Sequence, residues 1–180
     1  MDIRTTSPQP RRRSIRLVAA LALLTTSAIA LIGPAASAQA ATIDRTEATE
    51  VRMINQFRRS HGLRPLRIDG TLTRAAGWVA RDLGSTGRFS HTDSQGRDPF
   101  DRLRAFGYPS SDTHRGENLA AGNAAPRPTY LQWLNSPPHK ANWLNPRFRA
   151  IGIARVNVPG SPYGWYWATT FGSRWTNAAR

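Results

Sequence analysis

The sequence predicts an α+β domain in which several helices precede an antiparallel sheet. Amphipathic spacing and helix caps recur up to about residue 144, whereas two β-patterned segments lie near the C-terminus. Because strands and helices do not alternate in βαβ order, the helices are expected to pack over the sheet. The chain has no cysteine, so disulfides and thiol chemistry are excluded and the domain depends on its core alone.

The first forty residues have the features of a secretory signal peptide, in the expected order. A cluster of arginines precedes a mostly apolar run, residues 17–32, and small residues then offer cleavage near 38–40. The predicted organisation is a signal peptide, 1–40, followed by a single domain, 41–180. A membrane anchor is the alternative, but the run is shorter than the ~20 apolar residues of a spanning helix. The arginine pair leaves twin-arginine export open beside the general secretory route.

The charge of the predicted mature chain indicates anionic partners. Cleavage removes five of the 25 basic residues and one of the 11 acidic residues, which leaves a net charge of +10. For a secreted protein, such a charge favours envelope polymers or anionic lipid head groups. Nucleic acid is not predicted, because the arginines are scattered and form no basic helix face or aromatic–basic motif. A solvated arginine-rich surface without a partner is the alternative.

Three helices have clear boundaries in the first half of the domain. The first has apolar residues at helical spacing and ends before Gly62. The second, residues 72–83, follows a cap at Asp69 or Thr71. The third begins with Asp98 as N-cap and Pro99 in its first turn. Its predicted buried residues are Phe100, Leu103 and Phe106.

Two short helices and two strands are predicted in the second half. A helix over residues 129–135 follows a link rich in helix breakers, and Ser136 with Pro137 then repeats the cap-and-proline signal. Strands are predicted over residues 151–156 and 165–171, where β-branched and aromatic residues are frequent.

Three side chains stand out as candidates for a site. His91 lies in the tetrapeptide FSHT, Glu117 in RGENLA and His139 in SPPHKAN. Two imidazoles and one carboxylate suit Zn²⁺ with a fourth position open to water. These residues are far apart in sequence, so only the fold can bring them together. A position near a helix N-terminus would keep His139 neutral, as a metal ligand must be.

The motifs together resemble those of the CAP superfamily, which includes cysteine-rich secretory proteins, insect venom antigens and plant pathogenesis-related proteins. The resemblance is greatest to the bacterial SCP-like extracellular branch and covers about residues 46–172. Its motifs, in chain order, are Asn55 and residues 89–92, 99–102, 116–119, 133–142 and 151–153.

This resemblance implies a three-layer α-β-α sandwich with a central antiparallel sheet. It also implies a cleft of two histidines and two acidic residues that holds a divalent cation in some members. His91, Glu117 and His139 match three of these positions, and Ser136 occupies the position of the second acid. The cleft is therefore expected to comprise His91, Glu117, Ser136 and His139, with His91, Glu117 and His139 as candidate Zn²⁺ ligands.

The expected function is that of a secreted or envelope-associated binding module for a divalent cation and an envelope, lipid or peptide ligand. The alternative is a metal-dependent hydrolase, for which Glu117 is the candidate catalytic residue. The missing second acid favours binding over catalysis. A further alternative is that the three polar residues form only a structural hydrogen-bond network. Asn118 and Asn142 are expected to tie down loops.

The C-terminal half is also rich in tryptophan, which suggests core packing or, alternatively, an aromatic surface for sugars or membrane interfaces. These residues are Trp133, Trp143, Trp165, Trp167 and Trp175.

Overall fold

Helices lie on both sides of one sheet in the computed structural model, which describes residues 42–111 and 113–177. The elements in that part of the chain are α1 (Arg45–Ser60), β1 (Arg67–Ile68), α2 (Gly70–Thr86), α3 (Pro99–Ala105), β2 (Arg115–Ala121), α4 (Pro126–Leu134), α5 (Pro137–Leu144), β3 (Ala150–Asn157) and β4 (Trp165–Gly172). The predicted signal peptide, 1–40, lies outside these residues. Among the helices that are described, none combines the length and apolar character needed to cross a membrane.

The sheet has the strand order β1-β3-β4-β2. Strand β4 pairs antiparallel with both β3 and β2, as the sequence predicts for its two C-terminal strands. Strand β1 pairs parallel with β3, so the sheet is mixed rather than wholly antiparallel. A parallel pair requires a long crossover connection, and most of the domain lies between these two strands. Strand β2, which carries Glu117, was not predicted as a strand.

Alternate residues of the strands face two different helical layers. Ile151 and Trp167 pack with α1, α4 and α5, whereas Ala154 and Ala168 pack with α2. Because successive side chains of a strand point to opposite faces, these two clusters define the two sides of the sheet. The three-layer α-β-α arrangement is therefore confirmed.

The tryptophans divide between core and surface. Trp133, Trp143 and Trp167 are fully buried, as core packing requires. Trp175 is exposed, with the Arg67 guanidinium carbon 3.7 Å from its ring centroid.

Most of the predicted helix starts are confirmed. The Asp69 carboxylate accepts hydrogen bonds from the backbone amides at the start of α2, and Asp98 does the same for α3 with Pro99 in the first turn. Helix α4 begins at Pro126, earlier than predicted, because proline fits a first helical turn and need not break it. Ser136 stands at the N-cap position of α5, but its hydroxyl makes no capping hydrogen bond.

The predicted burial of Phe100 is wrong. Its side chain is 45% exposed, and the buried side of α3 is formed by Arg102 and Leu103. The guanidinium carbon of Arg115 lies 4.9 Å from the Phe100 ring centroid, which gives this aromatic residue a cation–π partner at the surface.

Gly152 allows α2 to approach β3 closely. A Cβ atom at this position would lie 2.1 Å from the carbonyl carbon of Leu72 and 2.3 Å from the amide nitrogen of Thr73. Both atoms are backbone, so relief of the overlap requires the helix to move. We expect Gly152→Ala to lower the free energy of unfolding by about 1–3 kcal/mol, the usual cost of overpacking, as measured by urea denaturation.

Gly77→Ala is the matched control for this prediction. A Cβ at Gly77 would meet only the Ala154 Cβ, at 3.7 Å, which is ordinary contact. This substitution in the middle of α2 should be neutral or stabilising. Equal stability of Gly152→Ala and the wild type would contradict the close approach of helix and strand.

Candidate functional site

Glu117 and His91 form a hydrogen-bonded pair at the edge of the sheet, where the cleft is predicted. Glu117 lies on β2 with a side chain only 2% exposed, and its Oε1 is 2.8 Å from Nδ1 of His91. An ionised carboxylate can only accept hydrogen bonds, so we assign the proton of this bond to His91 Nδ1. When the ring is neutral, its lone pair lies on Nε2. Since the His91 side chain is 54% exposed, Nε2 is available to a ligand.

A buried arginine holds Glu117 from the opposite side. Arg102 is fully buried and donates from Nη2 to Glu117 Oε2 at 2.5 Å. The same guanidinium donates to the backbone oxygen of His91 and, at 3.3 Å, to Oδ2 of Asp93. Arg97 donates from Nε to the same Asp93 oxygen at 2.9 Å. Two carboxylates and two guanidinium groups therefore form a charged network behind His91.

The ionised state of Asp93 is stabilised by this network. Burial alone would raise the pKa of Asp93, but hydrogen bonds from the backbone and side chain of Arg97 and from Arg102 outweigh that effect. The pKa of Asp93 is consequently lower than usual. The charge on Arg102 is thus matched by two acidic partners.

Neither Arg102 nor Asp93 was predicted as a site residue. Arg102 lies in a motif that supports the family resemblance, and it shares the buried side of α3 with Leu103. An arginine inside the apolar stripe of a short helix indicates a buried acidic partner, because an unpaired buried charge is costly. That signal was present in the sequence but did not identify the partner.

His139 lies on α5 and is partly buried next to this centre. The pKa of His139 is lowered, first by burial and second by the charge of His91, so the ring is neutral near pH 7. The predicted neutral ring thus has burial as its first cause, rather than the helix dipole alone. Nδ1 of His139 is buried and has no hydrogen-bond partner within the part of the chain that the structure describes.

Two asparagines fix α5 against β2, so they join a helix to a strand rather than tie down loops as predicted. Asn118 donates to the backbone oxygen of His139 at 3.1 Å. Asn142 donates to the backbone oxygen of Glu117 at 3.1 Å and to Oδ1 of Asn118 at 2.7 Å. These bonds set the position of His139 relative to Glu117.

Ser136 precedes α5 and is only partly exposed. Among the described residues, no hydrogen bond joins its hydroxyl to His91, Glu117 or His139. It therefore does not replace the missing second acid through a direct contact.

Residues 51–171 match the model of the cysteine-rich secretory protein family, CAP. The chain belongs to the CAP family. The match includes every cleft residue described above and the strands that position them.

Several proteins are similar to this CAP domain. The uncharacterized protein YkwD of Bacillus subtilis strain 168 is 37% identical over 106 residues, which are 59% of this chain and 40% of that protein. The chain thus spans less than half the length of this curated relative. An outer surface protein from Borrelia burgdorferi is 29% identical with a TM-score of 0.63, over 71% of this chain and 91% of that one.

Two further solved structures have a similar fold. An extracellular protein from Bacillus anthracis that contains an SCP domain is 25% identical with a TM-score of 0.61, over 70% of this chain and 39% of that one. A cysteine-rich secretory protein from Staphylococcus aureus, at 19% identity and a TM-score of 0.57, covers 72% of this chain and 38% of its own. At this identity the last comparison supports the fold alone.

The predicted Zn²⁺ ligands His91, Glu117 and His139 do not form a three-residue donor set in the described part of the chain. Within residues 42–111 and 113–177, no group of three or more His, Cys, Asp or Glu side chains is arranged to hold a metal ion. Both oxygens of Glu117 are already bonded, one to His91 and one to Arg102. His91 Nε2 and the unpartnered imidazole of His139 remain as nitrogen donors. Zinc binding stays a prediction. In this structure Glu117 is a hydrogen-bond partner of His91 rather than a free metal ligand.

Proposed function

We propose that this CAP domain is an extracellular binding module whose cleft holds a divalent cation between His91 and His139. Bound there, Zn²⁺ would supply positive charge for an anionic group of an envelope, lipid or peptide ligand. The observation that carries this proposal is the Arg102–Glu117–His91 chain. It fixes the tautomer of His91 and leaves Nε2 at the surface.

The arrangement matches a known way of building histidine metal sites. A metal-binding histidine commonly donates its second N–H to a carboxylate, which orients the ring and raises its basicity. Glu117 is placed to do this for His91, and Arg102 in turn orients Glu117. The lowered pKa of His139 keeps its ring neutral and able to coordinate.

Binding is favoured over hydrolysis by the state of Glu117. A general base needs a free oxygen within hydrogen-bond reach of the attacking water. Glu117 uses Oε1 for His91 and Oε2 for Arg102, and Ser136 stands where a second acid would be. The extracellular location is supported by the similarity to an outer surface protein of Borrelia burgdorferi and an extracellular protein of Bacillus anthracis.

We expect calorimetric titration with Zn²⁺ to give one site of micromolar or tighter affinity near pH 7. His91→Ala and His139→Ala should each abolish it, because each removes a nitrogen donor. Glu117→Gln should weaken it by roughly 10–100-fold, the usual effect of losing the group that orients a ligand.

His114→Ala is the matched control for these variants. His114 is an exposed loop histidine whose Nε2 lies 3.2 Å from Nη1 of Arg147, so its loss should leave the affinity unchanged. Absence of zinc binding by the wild type would refute the cation part of the proposal. Undiminished binding by both alanine variants would place the ion elsewhere.

A further inference from the structure

We propose that a second cavity of this protein, distinct from the His91–His139 cleft, is a binding site for an acidic saccharide. The cavity lies between the N-terminal part of α1, one face of α2 and the edge of β3, and its volume is about 540 Å³. Small-molecule sites in proteins have volumes of about 300–1,000 Å³. The side chains that carry the argument are Glu47, Thr73, Arg74, Trp78 and Arg81, together with Gly77.

Two arginines without acidic partners supply the positive charge. Arg74 and Arg81 lie four residues before and three residues after Trp78, so all three share one face of α2. Within the described chain neither arginine is in an ion pair, and Arg74 makes only a 3.3 Å hydrogen bond to Thr71 Oγ1. Guanidinium groups bind carboxylates and phosphates with two parallel hydrogen bonds. The face therefore suits an anionic group.

A buried hydroxyl in the wall of the cavity lacks a partner. Thr73 is 5% exposed, and its Oγ1 makes no hydrogen bond in the described part of the protein. An unsatisfied buried polar atom costs about 1–3 kcal/mol, and a ligand hydroxyl would remove that cost once the threonine side chain rotates toward the cavity. On the α1 side, Glu47 accepts one backbone hydrogen bond on each oxygen, from Asp44 and from Arg155. Each oxygen keeps a lone pair for a ligand hydroxyl.

Trp78 provides an apolar surface between two cavities. The guanidinium carbon of Arg97 lies 4.6 Å from the Trp78 ring centroid. Trp78 and Arg81 also line a second, 200 Å³ cavity with Asp82 and Ser85. An aromatic body beside polar groups suits a ligand that is apolar on one face and polar at its edges. A sugar ring has this character.

Gly77 keeps the floor of the cavity open. A Cβ at this position would meet only Ala154, at an ordinary 3.7 Å. A glycine inside a helix costs roughly 0.5–1 kcal/mol relative to alanine, so packing alone does not explain it. Gly84 in the same helix differs, because its Cβ would lie 2.4 Å from the Val158 side chain. Gly77 lines the cavity and leaves open space next to Ala154.

The combination of groups distinguishes the occupant from other anions. A fatty acid would need an apolar channel, but this cavity is lined by a threonine and a glutamate as well as by two arginines. An acidic saccharide uses each group: its acid for Arg74 and Arg81, its hydroxyls for Thr73 and Glu47, and its ring face for Trp78.

The test uses the full domain and a uronic-acid disaccharide, with binding followed by NMR chemical-shift changes of the Trp78 indole N–H. The matched neutral disaccharide should bind at least tenfold more weakly. The double variant Arg74→Gln/Arg81→Gln and the cavity-filling Gly77→Leu should each weaken binding of the acidic disaccharide at least tenfold. Arg88→Gln, which removes a charge outside the cavity, should leave the affinity unchanged, as should His139→Ala in the cleft.

Four results would overturn the proposal. They are absence of binding by the wild type, equal binding of the neutral sugar, equal loss of affinity in Arg88→Gln, and tighter binding of an acidic peptide at the same residues. Because Arg74 and Arg81 are not core side chains, the double variant keeps the test decisive even if Gly77→Leu fails to fold.

Discussion

Arg102→Met is expected to lower the free energy of unfolding by about 3–5 kcal/mol at pH 7. The methionine would fill part of the space but would leave Glu117 buried without its guanidinium partner and Asp93 with Arg97 alone. Removal of one member of a buried ion pair is costly because the remaining charge is poorly solvated. Urea denaturation followed by tryptophan fluorescence measures the change.

The pH dependence of this loss has a defined direction. The pKa of Asp93 is depressed in the folded protein, so its ionised form stabilises the fold above the unfolded pKa, and this contribution disappears as pH falls through the folded value. The difference between wild type and Arg102→Met should therefore shrink below about pH 4. Arg102→Lys should recover only part of the stability, since an ammonium group cannot reproduce the planar fork that spans both carboxylates.

Arg104→Met is the control on the same helix. Arg104 pairs with Asp101 at 2.8 Å, but its side chain is 65% exposed, so the effect should stay within about 0.5 kcal/mol. A loss below about 1 kcal/mol for Arg102→Met would contradict the view that Glu117 depends on this arginine.

The sequence was sufficient to nominate His91, Glu117 and His139, because each lies in one of the motifs that carry the family resemblance. It could not specify their contacts. Whether Glu117 faces a metal or supports His91 depends on Arg102, which lies on helix α3 and contacts Glu117 on strand β2. The position of a buried charge relative to its partner depends on tertiary packing, so it cannot be predicted from the spacing of residues along the sequence.

Local signals predicted helix starts better than burial. Asp98 and Pro99 marked the start of α3 correctly, since capping depends on neighbouring residues only. The burial predicted for the same helix was wrong. Hydrophobicity favours a buried Phe100, whereas the structure buries Arg102. Strand β2 was missed because its buried residues face helices on both sides, which removes the alternation that marks a half-exposed strand.

The largest pH effect is expected from Glu50 on α1. Its carboxyl group is fully buried, and neither oxygen has a hydrogen-bond partner in the described part of the chain. Burial raises the pKa of Glu50 from 4.5 to about 8. The pKa of Tyr130 on α4 is also raised, first by burial and second by the charge of Glu50. The unionised acid is therefore the form that the α1–α4 side of the core accepts at neutral pH.

The direction of the change in stability follows from the pH at which each state releases the proton of Glu50. The unfolded chain ionises Glu50 near pH 4.5, whereas the folded protein holds the proton to about pH 8. The folded state binds more protons in this window, so stability falls as pH rises through it, by roughly 5 kcal/mol in total. Glu50→Gln, which cannot ionise, should match the wild type near pH 4.5 and exceed its stability by that amount at pH 9. The control is Asp101→Asn at the surface, which should leave the dependence of stability on pH as in the wild type. If stability varies with pH in the same way in Glu50→Gln and the wild type, Glu50 is already ionised in the folded protein.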